Sequence, residues 1–253
     1  MEFMVGDGAR PLVEGNHSVR RALEMLATVA ADREPLRLGQ LARRLALPKS
    51  SAHSLLRALA VAGFVEGDAR SGYVVGLRAF EVGVAYLSRM GPVAAARPEL
   101  ARLRDTLGVA AHLAILDGSD AVYLAAEGPA GSGPRLASSV GSRLPAHLTA
   151  VGRAQLAHRP EAVAGLAIHR GRARRLATEL DRARQRGYAV DRGETVAGIG
   201  CLASPVFDAA GGCAGAVGIS FLLDGGPADE TAGPLVAAAA RRISARLGGT
   251  APG

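Results

Sequence analysis

"LPKSSAHSLLRALAVAGFV", residues 47–65, carries the chain's single lysine, Lys49, and follows it with three serines, a histidine and an arginine. Ala52, Leu55, Leu56 and Leu59 recur at i, i+3, i+4 and i+7, the spacing of one helical face. Ser50, His53, Ser54 and Arg57 keep that spacing two residues out of phase, which at about 100° per residue turns them to the opposite side. Pro48 suits the start of a helix, where its missing amide proton would have no partner. Gly63 suits the end. In isolation such a helix is a surface element with a solvated polar face. Its neighbours change that.

Upstream, "SVRRALEMLATVAA" places Val19, Ala22, Leu23 and Leu26 on one stripe with Ser18 as the expected N-cap, and Pro35 breaks the chain after it. "LRLGQLARRLAL" gathers Leu38, Leu41 and Leu45 on one face. Downstream, Phe64–Glu66 and Tyr73–Val75 are short β-prone pieces around a turn rich in Gly, Asp, Arg and Ser. Three helices followed by a hairpin have the layout of a winged helix-turn-helix. Charge sharpens the point. No acidic residue lies between Glu34 and Glu66, whereas Arg37, Arg43, Arg44, Lys49 and Arg57 all do. A merely solvated helix pair mixes signs to gain i,i+4 pairing; a pair that faces phosphates has no use for acids.

The whole chain sets wider bounds. Its 253 residues suffice for one large domain or two modest ones, and its net charge of +7 suits an anionic partner. Cys201 and Cys213 form no CxxC pair, which argues against a disulfide framework or a zinc site. No phosphate loop, dinucleotide fingerprint or metal-ligand spacing occurs, so no cofactor is implied. There is no apolar run of membrane-spanning length. Residues 1–17 lack a secretory pattern and read as a disordered lead-in. The expectation is a cytoplasmic protein with no membrane partner.

Residues 18–90, through "SVRRALEML", "LARRLALPKSSAHSLLRALAVAGFVE" and "GYVVGLRAFEVG", resemble the N-terminal domain of the IclR family of bacterial transcription regulators. The resemblance implies that residues 18–76 are a winged helix-turn-helix that binds double-stranded operator DNA. Lys49, Arg43 and Arg44 are expected at phosphates, with Arg37 and, on the wing, Arg70 beside them. Ser50, Ser51, His53, Ser54 and Arg57 are expected in the major groove, where Arg57 can make a bidentate guanine contact.

Residues 77–107 read as helical with an interruption at Gly91-Pro92; 77–92 is expected as a helical linker and 93–250 as a second domain. In that domain "VAAHLAIL" and "AVYLAAE" flank an Asp117-Gly118-Ser119 hairpin turn, and "GPAGSGP" is a loop. "TAVGRAQLA" and "RARRLATELDRARQR" read as helices, "GYAV", "CLASPVF" and "GAVGISF" as strands, and Leu235–Leu247 as a closing helix. Hairpins mixed with helices predict an α+β fold. The arginines of "HRGRARR", residues 169–175, are better explained as a solvated helix face than as a second nucleic-acid patch, because acids and bases alternate just after them.

"VGSRLPAHLTAVGRAQLA" and "ELDRARQRGYAVDRGETVAGIGCLASPVFDAAGG" resemble the same family's GAF-like effector-binding domain. Arg153 stands where the family usually has lysine, and Gly218 where some members have a serine that contacts ligand. The resemblance implies a pocket for a small organic acid or aromatic molecule, lined by His147, Thr149, Ala150, Val151, Asp191, Cys201, Gly218 and Ser220. It also implies a homo-oligomer, a dimer or a dimer of dimers. The rival from another class is a cysteine-dependent metabolic enzyme, with Cys201 as nucleophile beside His147 and Asp191. Cys201 lies in no nucleophile elbow and at no evident helix N-terminus that would lower its pKa, so buried strand packing explains it better.

Overall fold

The computed structural model describes residues 16–250 except 33 and 129–138; the lead-in up to residue 15 and most of the "GPAGSGP" loop lie outside the described residues. The chain divides into two compact units between Arg89 and Met90.

The first unit contains α1 (His17–Ala31), α2 (Leu38–Arg44), α3 (Lys49–Val61), β1 (Val65–Asp68), β2 (Gly72–Val75) and α4 (Leu77–Ser88). β1 and β2 pair antiparallel, and Leu36 bridges to Tyr73 at the edge of this wing. Met25, Val29, Leu41, Ala52, Leu56 and Leu59 form the core with Val65 and Tyr73 of the hairpin. α1 differs from expectation in two ways. Its first carbonyl acceptor is Asn16, which takes the Val19 and Arg20 amides, so Ser18 lies inside the first turn and is not the cap. Its core-facing residues are Met25 and Val29, whereas Val19 and Leu23 stay 54% and 60% exposed. α4 buries no residue, although Leu77, Phe80, Val82 and Tyr86 are large and apolar.

α2 and α3 end in the same way. After α2, the Leu47 amide donates to the Ala42 carbonyl and the Ala46 amide to Arg43; after α3, Phe64 donates to Leu59 and Gly63 to Ala60. This is the Schellman pattern, which needs a left-handed residue just past the helix. Gly63 fills that place at φ 76°, while at the helix-turn-helix corner Ala46 fills it at φ 50°.

The second unit contains α5 (Gly91–Leu107), β3 (Ala110–Asp117), β4 (Asp120–Glu127), β5 (Arg143–Pro145), α6 (Ala150–Leu156), α7 (Pro160–Ala164), α8 (Arg170–Arg186), β6 (Ala189–Arg192), β7 (Ile199–Phe207), β8 (Cys213–Leu222) and α9 (Asp229–Arg246). The helical connector breaks at Arg89–Met90, and Gly91 and Pro92 open α5, where proline costs no hydrogen bond. α9 begins at Asp229, not at Leu235: two acids complement the dipole of its first turn, and Pro234 is carried within it.

The six strands run in the order β5-β4-β3-β8-β7-β6, every neighbouring pair antiparallel. On one face α6 and α8 bury Ala150, Val151, Ala154, Leu176 and Leu180 against Ala114, Ala203 and Ala216 of the strands. On the other, α5 and α9 pack on each other and on the sheet. Glu99 of α5 is fully buried there, and Arg242 and Arg246 of α9 donate to its two oxygens at 2.8 and 3.0 Å. No helix among the described residues is long and apolar enough to cross a membrane.

Candidate functional site

Two surfaces carry chemistry, one in each unit. In the first, Ala52, Leu56 and Leu59 turn α3 inward, so Lys49, Ser50, His53, Ser54 and Arg57 are exposed and Ser51 is half-buried. Arg43 and Arg44 are exposed at the end of α2, and Arg37 at its start, where the Arg37 amide donates to Gln40 Oε1 at 2.8 Å. On the wing, Asp68 Oδ1 accepts from the Arg70 and Ser71 amides at 2.7 and 2.8 Å, which shapes the turn and leaves Arg70 at its exposed tip. The ion pairs of this unit are Arg20–Glu24, Arg44–Asp32 and Arg78–Glu81. The acid-free window in sequence is therefore not quite acid-free in space, because Asp32 lies 2.7 Å from Arg44. Arg37, Arg43, Lys49, Arg57 and Arg70 have no acidic partner among the described residues.

In the second unit a small cavity lies on the α6 face of the sheet. Thr149, Ala150, Val151, Asp191, Cys201 and Ser220 line it; His147 and Gly218 do not. The strand register explains the strand residues among them. Asp191, Cys201, Ser220 and Ala110 stand in one row across β6, β7, β8 and β3. Ala189, Ala203, Gly218 and His112 form a second row on the same face, two residues along each strand. Gly218 is thus within reach of the His112 ring, and it is His112 that meets the cavity. The His147 ring instead lies 3.5 Å from Arg172, while its carbonyl accepts from Arg153 Nε at 3.0 Å.

Thr149 caps α6, its Oγ1 accepting the Gly152 amide at 3.0 Å. Asp191 is 1% exposed and accepts the Glu194 amide at 2.8 Å. Burial, reinforced by a hydrogen bond shared with the Glu194 carboxyl, pushes Asp191 up to about 6. Burial also opposes ionisation of Glu194, but the hydrogen bonds from Asp191 and the Arg192 amide, with the Arg153 guanidinium nearby, outweigh it and hold Glu194 low. Arg153 is itself buried and donates to the Val190 carbonyl at 2.8 Å. Its charge is spent behind the cavity, and no arginine or lysine lines the wall.

Cys201 Sγ lies 3.2 Å from Ser220 Oγ, and burial pushes its thiol up to about 12. A neutral thiol hydrogen-bonded to serine, with His147 turned toward Arg172, is not an activated nucleophile. The arrangement gives the cysteine-enzyme alternative no support. Cys213 is buried at the start of β8, and burial raises its thiol to about 11.

Sequence reasoning missed the two rings of the cavity. His112 and Tyr123 sit with centroids 5.1 Å apart and planes tilted by 58°. A register shift between Leu113 and Ala114 in β3 accompanies this placement of Tyr123. Burial raises the Tyr123 hydroxyl above its usual range and lowers His112 to about 4, so both are uncharged at neutral pH. A histidine inside the otherwise apolar run of β3 was the available signal, but it does not say which face or which partner.

Residues 18–69 match the IclR helix-turn-helix domain, and residues 84–245 match the C-terminal domain of bacterial transcriptional regulators of the IclR type. The HTH-type transcriptional regulator BhcR of Paracoccus denitrificans is 34% identical over 218 residues, covering 81% of this chain and 77% of BhcR. The HTH-type transcriptional repressor AllR of Salmonella typhi is 31% identical over 254 residues, covering 93% of this chain and 91% of AllR. Among solved structures, an IclR homolog from Microbacterium hydrocarbonoxydans complexed with 4-hydroxybenzoate shares the fold. Its TM-score is 0.78 over 91% of this chain and 98% of its own, at 23% identity. With a helix-turn-helix followed by a matching sensor fold over most of its length, the chain belongs to the IclR family of bacterial transcriptional regulators.

Proposed function

We propose that the chain is a repressor that binds a pseudo-palindromic operator as a dimer and is released when a small organic acid or aromatic effector fills the cavity of its second unit. The carrying observation is the set of exposed basic residues on α2, α3 and the wing that have no acidic partner among the described residues. Arg43 and Lys49 meet phosphates on either side of the helix-turn-helix corner, with Arg37 and Arg70 adding contacts at the margins. Arg44 joins them after exchanging Asp32 for a phosphate. Ser50, Ser51, His53, Ser54 and Arg57 face base edges in the major groove.

A single module covers one half-site, and two-fold operators pair with two-fold proteins. The apolar residues left exposed on α1 and α4, Val19 and Leu23 with Leu77, Phe80 and Val82, are the surface for the second copy. Repression is the action named for AllR, and a bound aromatic acid is named for the Microbacterium homolog. A thermal-shift screen against small carboxylic and aromatic acids, followed by gel shifts on DNA upstream of the chain's own gene, tests this. A compound that stabilises the protein and weakens the shifted band is expected. Stabilising compounds that leave the band unchanged contradict the regulatory part of the proposal.

A further inference from the structure

One residue that lines the cavity carries a polar atom that the protein leaves unsatisfied. His112 is 1% exposed, and its Nδ1 is buried without a hydrogen-bond partner among the described residues. Leaving a polar atom of this kind unpaired is costly, because it has given up its bond to water for nothing in return. Its neighbours make room for the ring and do nothing more. Gly218 stands opposite it on β8, and a Cβ there would come within 3.0 Å of His112 Nε2, 2.8 Å of the Leu202 carbonyl oxygen and 3.1 Å of Ala203 Cβ. Tyr123 packs against the ring at a tilt and gives it an aromatic wall.

We infer that His112, seated over Gly218, is the specificity-determining residue of the cavity and selects an effector that presents a hydroxyl group on a small apolar body. The inference rests on the proposed sensor function and names its ligand chemistry. A hydroxyl both donates and accepts, so it satisfies an uncharged imidazole in either tautomer. A carboxylate at the same spot meets no cation in the wall and faces the acidic Asp191, so burying it beside His112 is costly. Val151 and Ile199 line the cavity with Tyr123 and leave the ligand's body an apolar environment.

The test uses the full chain and two size-matched probes, 4-hydroxybenzoate and 4-methylbenzoate, titrated calorimetrically. They share the carboxylate and differ at the hydroxyl, so their ratio isolates that contact. The wild type is expected to prefer the hydroxylated probe by roughly tenfold, the value of one hydrogen bond in a buried site. His112→Phe, close to it in shape, is expected to abolish the preference, and His112→Asn to retain part of it. Gly218→Ser, which crowds the ring, is expected to reduce the preference while operator binding persists. An unchanged preference in both His112→Phe and Gly218→Ser overturns the inference, as does parity or no binding in the wild type. None of those outcomes touches the sensor proposal, which fails only if compounds that bind leave operator affinity unaltered.

Discussion

Single residues carry much of the behaviour expected of this chain. Ala46 occupies the left-handed position of the helix-turn-helix corner at φ 50°, where an L side chain costs about 1–2 kcal/mol. Glycine there relieves that strain and loses about 0.4–1 kcal/mol to its freer unfolded chain. Ala46→Gly should therefore stabilise the protein by about 0.5 kcal/mol in denaturant unfolding. Gly63→Ala at the equivalent cap of α3, φ 76°, should destabilise it by about 1 kcal/mol. Destabilisation by Ala46→Gly, with no loss from Gly63→Ala, would remove the cap argument.

Asp191 sets a pH dependence. Because burial raises it to about 6, the carboxyl is neutral below that pH and repels an anion above it. Affinity for a carboxylate probe such as 4-hydroxybenzoate should be greatest below pH about 6 and fall as pH rises through that value. The groups that meet Asp191 are Glu194, already ionised and held by Arg153, and the neutral Cys201 and Tyr123, so none supplies a compensating titration in this range. Asp191→Asn should flatten the profile; a wild-type affinity that is level across pH 5–8 contradicts the assignment.

At the scale of elements, α3 keeps Ala52, Leu56 and Leu59 on its core face and Lys49, Ser50, His53, Ser54 and Arg57 on its exposed face. Leu56 is fully buried, and Leu56→Ala should cost about 2–5 kcal/mol, with operator binding lost only through unfolding. Lys49→Ala and Arg57→Ala should leave stability alone. The first should weaken binding to all sequences alike, and the second should cost about 1–3 kcal/mol at a single operator position. On α4, Phe80 is 66% exposed, and Phe80→Glu should convert a dimer to monomer in light scattering. A dimer that survives this change moves the interface elsewhere.

The winged helix-turn-helix was legible in the sequence because its determinants are local. Apolar spacing, Gly63 and the run of bases without acids all lie within a few turns of one another. What sequence missed there came from folding back, as when Asp32 reaches Arg44 across the end of α2, and from an apolar stripe that the core uses only in part, which leaves Val19 and Leu23 exposed. The cavity was half legible. Asp191, Cys201 and Ser220 stand in one row, but the row depends on cross-strand register between segments far apart in sequence. A two-residue step along β8 separates Ser220 on the wall from Gly218 beneath His112, and no periodicity in the sequence pairs residue 112 with residue 218.

For the whole molecule, the two units amount to a cation-bearing reader and a cavity whose wall carries no cation. Regulation requires the effector to bind the DNA-competent and DNA-incompetent states with different affinity, a coupling typically of about 1–3 kcal/mol. The most direct test of the central claim is a fluorescence-anisotropy titration of the full chain on its operator and on a scrambled duplex, repeated across a salt series. Both affinities should fall with log salt, at about 0.9 in log affinity for each phosphate neutralised, while the operator stays the tighter site throughout. Equal affinity for the two duplexes, or affinity that does not move with salt, would contradict DNA recognition by α3 and the basic residues around it.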